Sequence, residues 1–156
     1  MQASTLNRSL ARQLPSGATL GALGRLCEEN YALLMSLVPT VSSLKGRFCA
    51  NPSNYPPLLM LVSRDGPYTQ RLFMTHLFSG DQEAAPVSIP DAHLILYHDA
   101  QTLEVEHFGR QMILPVDGLY TNPGLYQKWR ANLFLNRWLR FCLSHTYMLT
   151  EINKDK

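Results

Sequence analysis

Several features that often announce a function are missing from this chain. No stretch reaches the roughly 18 apolar residues of a membrane span, and the N-terminus lacks the apolar core of a signal peptide. Three cysteines, Cys27, Cys49 and Cys142, are odd in number and far apart. They offer neither a disulfide framework nor a CxxC metal motif, so reduced thiols in a reducing compartment are expected, with the cytoplasm as the default. Five histidines occur without HxxxH or HxH spacing, which predicts no metal site. There is no G-x-S-x-G elbow for a serine nucleophile. Gly21 and Gly24 precede a helix but follow no strand, so no phosphate loop and no cofactor are expected. No period of about 20–50 residues repeats.

Charge is also scarce. Charged residues make up 17% of the chain, and a formal charge of +2 is too mild to argue for nucleic acid. Its distribution says more than its total. Residues 81–117 hold seven acids and one base, whereas residues 120–150 hold Lys128, Arg130, Arg137 and Arg140 and no acid. These opposed segments favour internal pairing of the last helix with the acidic hairpin.

What is present is enough apolar residue, 46% of 156, for one domain with a substantial core. Residues 1–18 read as a flexible basic tail, with Leu6, Leu10 and Leu14 four apart and Arg8 and Arg12 as its charges. A transit peptide or a membrane-surface helix is the other reading of that pattern. Residues 19–150 form the domain and 151–156 a C-terminal tail. Thr19 is placed to cap a first helix whose apolar stripe runs through Leu23, Leu26, Cys27, Tyr31, Leu34 and Val38. The two glycines predict a firm start nearer Arg25, and Pro39 a stop. Residues 41–57 look irregular, broken by Gly46, Pro52, Pro56 and Pro57.

Residues 58–63 and 68–78 read as strands joined at Asp65-Gly66, and residues 94–108, LILYHDAQTLEVEHF, as a second hairpin. Asn122-Pro123 suits the start of a last helix over roughly 124–148, with Ala131, Leu135, Trp138, Cys142, His145 and Leu149 on one stripe. The expected fold is α+β: about four antiparallel strands in two hairpins, covered on one face by the N-terminal and C-terminal amphipathic helices.

Two registers are open at the Asp99-Ala100-Gln101 tip. The preferred one pairs Tyr97 with Thr102, Ile95 with Glu104 and His93 with Glu106, gathering Leu94, Leu96, Leu103 and Val105 on the core face. It points His93 and His107 to opposite faces. The other pairs His93 with His107. Around the tip, His98, Asp99 and Glu104 are candidates for acid–base chemistry. The plainer reading lets Asp99 cap its own turn, His98 satisfy a backbone carbonyl and Glu104 meet solvent or an arginine.

Three stretches together resemble a known family: RLCEENY (25–31), LYHDA followed by EV (96–100 and 104–105), and NRWLRFCLSH (136–145). They are similar to the YqiB-like family of proteobacterial proteins, a domain of unknown function. The resemblance implies a small bacterial cytosolic protein and supplies no reaction. Its pattern falls on Arg25, Leu26, Cys27, Glu28 and Asn30, then on Tyr97, His98, Asp99, Ala100 and Glu104, and last on Trp138, Leu139, Arg140, Cys142 and His145. Arg25, Glu28 and Asn30 read as a structural polar network. Tyr97, Arg137, Arg140 and His145 read as ligand contacts.

Three functions follow from these residues. The first is a non-enzymatic binding or adaptor module for a protein partner or small ligand, without membrane insertion. The second is a small hydrolase or transferase using His98 with Asp99 or Glu104 and Arg140 as anion anchor. The third is an RNA-associated protein using the basic last helix.

Overall fold

The computed structural model describes residues 19–77, 90–109 and 123–152. Expectations for the basic tail, for most of the loops at 79–90 and 115–124, and for Asn122 as a cap lie outside the described residues.

The first helix, α1 (Leu20–Leu37), begins at its cap. Thr19 Oγ1 accepts the Ala22 amide at 3.0 Å, and such a cap contributes about 1 kcal/mol, enough to offset one of the glycines. The start therefore precedes Gly21 instead of lying near Arg25. Its inward stripe buries Leu23, Cys27, Asn30 and Leu34. Pro39 cannot continue the helix, and a short 3-10 turn at Val41–Ser43 redirects the chain.

Six strands follow, two more than the hairpin patterns announce: β1 (Gly46–Ala50), β2 (Leu58–Gly66), β3 (Thr69–His76), β4 (Ala92–Tyr97), β5 (Thr102–Phe108) and β6 (Thr150–Glu151). They form one antiparallel sheet in the order β5-β4-β3-β2-β1-β6. β1 hides in the stretch expected to be irregular because its breakers lie at its ends. Gly46 takes φ +118° at the entry, Pro52 lies past the exit, and five residues between them suffice to pair with β2. β6 closes the far edge of β1, with Phe48 opposite Glu151. The β2–β3 turn is displaced from Asp65-Gly66, since Gly66 still pairs with Thr69 and leaves Pro67 and Tyr68 at the tip.

The β4–β5 hairpin mixes the two registers considered. Tyr97 pairs with Thr102, Ile95 with Glu104 and Leu94 with Val105, as in the preferred one. A bulge between His93 and Leu94 then shifts the ladder by one, so His93 faces His107 and not Glu106. Their rings stack at 4.3 Å and 19°, which corrects the expectation of opposite faces.

Inner-face residues Leu58, Met60, Leu72, Met74, Leu94, Leu96, Leu103 and Val105 form the sheet side of the core. The last helix, α2 (Pro123–Ser144), lays Ala131, Leu135, Trp138, Leu139 and Cys142 against it. Its end is a Schellman turn: the Tyr147 amide donates to the Cys142 carbonyl at 3.2 Å and the Thr146 amide to the Leu143 carbonyl at 3.4 Å. The helix thus stops short of the expected 148, and Thr146 sits at φ +57°. That conformation is costly for a β-branched residue and free for glycine. Replacement Thr146→Gly is expected to raise stability by about 0.5–1 kcal/mol in urea unfolding, with the slope unchanged.

Candidate functional site

Three consecutive residues of α1, Glu29, Asn30 and Tyr31, each hold different partners. Asn30 is fully buried, so its amide must be matched or the helix would not pack there. Its Nδ2 donates to the Asn132 carbonyl at 3.1 Å, and its Oδ1 accepts from Asn136 Nδ2 at 3.0 Å. Asn136 Oδ1 in turn accepts Arg140 Nε at 2.9 Å, and the Arg140 guanidinium reaches back to Glu29. Asn132 extends the network to the sheet. Its Oδ1 accepts the Val105 amide at 2.8 Å, which satisfies a donor on the edge strand β5. A single chain of polar contacts therefore ties α1, α2 and β5.

Tyr31 begins a second network. Its hydroxyl lies 3.0 Å from His98 Nδ1, and His98 Nε2 lies 2.7 Å from Gln70 Oε1. Gln70 Nε2 donates to the carbonyls of Val41 and Leu44 at 2.9 and 3.1 Å, which fixes its oxygen toward the imidazole. Nε2 of His98 therefore carries the proton, and Nδ1 accepts from the tyrosine. On another face of α2, Trp138 Nε1 donates to His76 Nε2 at 2.9 Å, while His76 Nδ1 faces the Pro57 carbonyl at 3.3 Å. His76 is thereby defined as a neutral tautomer too.

The remaining candidates are scattered. Asp99 accepts its own Ala100 amide at 2.9 Å, the plainer of the two roles considered. Glu104 pairs at 3.9 Å with Lys128 and lines an open groove of about 720 Å³ beside β5, with Leu20, Leu23 and Leu125 on its walls. Strand alternation separates it from His98: Glu104 lies opposite Ile95, whereas His98 turns toward α1. Tyr97 is half-buried, His145 stacks on Tyr55 at 4.1 Å, and Arg25, Glu28 and Arg137 are exposed. Among the described residues, pairing of the last helix with the acidic hairpin is confined to Lys128. Arg140 meets α1 instead, and among the described residues Arg130 and Arg137 have no carboxylate partner.

The thiols of Cys27 and Cys142 are buried and pushed up to about 12, chiefly by burial, which leaves them protonated and poor nucleophiles. Among the described residues no group of three His, Cys, Asp or Glu side chains is placed to hold a metal. Among them, too, no helix is long and apolar enough to cross a membrane. Sequence reasoning missed Gln70, His76, Asn132 and Asn136. A signal existed for the last two, since asparagine is a poor interior helix residue and here recurs four apart beside Leu135 and Leu139.

A family model described as "Protein of unknown function (DUF1249)" matches residues 33–148. The chain belongs to the DUF1249 family. Of the three motifs, the hairpin and last-helix stretches fall inside the matched region, and RLCEENY lies just before it. DUF1249 relatives include the "Uncharacterized protein YqiB" of Escherichia coli K12 and its counterpart in Escherichia coli O157:H7. Each is 31% identical over 136 residues, covering 82% of this chain and 91% of the relative. No solved structure matches this DUF1249 chain significantly.

Asn30→Ala leaves Asn136 Nδ2 without its acceptor in a sealed place, and an orphaned buried donor costs about 1–3 kcal/mol. A loss of that size in urea unfolding is expected, and an unchanged midpoint would deny the network its structural weight. Acid should act through the histidines. Burial is the leading cause that holds His76 and His98 below the ordinary 6.5; the Arg64 charge adds at His98, while Asp99 opposes there and the Pro57 and Pro56 carbonyls oppose at His76. The unfolded chain then binds more protons as pH falls through about 6.5, so stability present above that pH is lost below it. The melting temperature should drop between pH 7.5 and 5.5, less steeply in His76→Gln.

Proposed function

We propose that this DUF1249 chain is a non-enzymatic binding module of the cytoplasm, engaging a partner or ligand through its surface. One observation carries the reading. Most of the polar groups from which a reaction would be built already occupy one another: both ring nitrogens of His98, the Asp99 carboxylate in its own turn, and Arg140 with Glu29 and Asn136, while Glu104 is held by Lys128 at 3.9 Å. General acid–base work needs a group within reach of substrate whose proton is free to move. His98 instead holds its proton against Gln70 in the junction between α1 and the hairpin.

Surfaces open to recognition include the sheet end and the flank of α2. At the sheet end, Tyr68 is 60% exposed and its carbonyl accepts the His98 amide, so the two hairpin tips form one ledge with Tyr97 and Asp99. On α2, Arg137 is exposed and Arg140 half-exposed.

A panel of chromogenic esters, phosphoesters and anilides tests the reading. Wild type and folded His98→Gln are expected to show the same background rate. Turnover above background that disappears in folded His98→Gln, Asp99→Ala or Glu104→Gln would sink it in favour of a hydrolase.

A further inference from the structure

The solvent face of α2 carries a pattern that the polar networks do not use. Arg130, Phe134, Arg137, Phe141 and His145 follow at steps of four, three, four and four, which places them along one arc of the helix. The buried Trp138 borders this arc on one side and Arg140 on the other. Phe134 is 38% exposed although phenylalanine belongs inside, and Tyr55 is 40% exposed where it stacks on His145. Phe141 meets His145 at 4.4 Å and continues the band of rings. At about 1.5 Å per residue the arc from Arg130 to His145 is about 22 Å long.

Charge complementarity selects the occupant. Arg130 and Arg137 are exposed and have no carboxylate partner among the described residues, whereas Lys128, Arg140 and Arg71 all have one. Guanidinium groups with no carboxylate partner among the described residues, beside the exposed rings of Phe134 and Tyr55 and the partly exposed rings of Phe141 and His145, match a ligand that alternates phosphates with unstacked bases. A duplex hides its base faces and offers none to these rings. A hydrophobic protein partner would leave both arginines desolvated and unpaired.

We infer that the outer arc of α2 binds single-stranded nucleic acid, Arg130 and Arg137 meeting phosphates while Phe134, Phe141 and the Tyr55–His145 pair receive bases. This rests on the binding-module reading and names its ligand. RNA and DNA strands share the chemistry, so both are tested.

The experiment is fluorescence anisotropy of a labelled oligouridine of about twelve nucleotides, titrated with the full chain between about 50 and 200 mM salt. The strand recovered afterwards is run on a denaturing gel. Saturable binding is expected, and Arg130→Ala/Arg137→Ala should make the log–log salt slope shallower by about 1.4, at roughly 0.7 per phosphate. Phe134→Ala should weaken binding about tenfold. Arg47→Ala, which removes an exposed charge on β1, should change neither; circular dichroism checks each fold. Oligodeoxythymidine decides whether the sugar is read, and a duplex competitor should not displace the strand.

No binding at about 100 µM protein and low salt overturns the inference, as does binding that the double arginine variant leaves intact or that a duplex abolishes. Each of those results leaves the module reading standing for another ligand. Shortening of the recovered strand sinks the module reading instead, because the chain would then be a nuclease.

Discussion

Asn30 sits where two helices and a sheet edge meet, with no access to water. A buried amide without partners would cost several kcal/mol, so the surroundings must present donors and acceptors at fixed positions. They do so from residues about a hundred positions away, Asn132 and Asn136 on α2. Once that match is made, the relative height and rotation of α1 and α2 follow. Apolar packing alone tolerates sliding of one helix along another; a pair of amide bonds at about 3 Å does not. Asn132 carries the same constraint into β5 through the Val105 amide, and Tyr31, one residue on from Asn30, carries it to the hairpin tip through His98.

Another face of α2, and the chain just beyond its end, are fastened differently. His76 receives the Trp138 indole proton, and Tyr147 donates its hydroxyl to the Pro56 carbonyl at 2.8 Å after the chain reverses at Thr146. Rings of Tyr55, His76, Phe141, His145 and Tyr147 surround these bonds, so hydrogen bonding and aromatic packing support one another. The ion pairs of Arg71 with Asp65 and Glu106 contribute little by comparison, since those side chains are about 40% exposed or more and water screens them.

This arrangement changes how the residue types in the chain should be read. Histidine, aspartate, glutamate and arginine around a hairpin tip suggest chemistry, yet in this DUF1249 protein they close turns and join helices. The features that reach solvent among the described residues are of another kind: Phe134, Arg130 and Arg137 on the outer arc of α2, and the ledge formed by Tyr68 and Tyr97. Exposed rings and guanidinium groups of this kind can be matched by a partner without dismantling the core.

Local chemistry was enough to announce much of the fold. Thr19 caps α1 because a hydroxyl at that position meets a free amide wherever the helix lies. Pro39 stops the helix for an equally local reason, and alternation alone assigns Leu94, Leu96, Leu103 and Val105 to the inner face. What the chain could not declare in one dimension concerns partners distant in sequence. β1 is five residues between breakers and becomes a strand only because β2 accepts it, and the two residues of β6 have meaning only beside β1. The bulge that brings His93 onto His107, the asparagine network and the neutral tautomer of His98 were likewise decided by tertiary structure. Periodicity reports which way a side chain faces, whereas which atom it meets depends on how elements far apart in the chain are brought together.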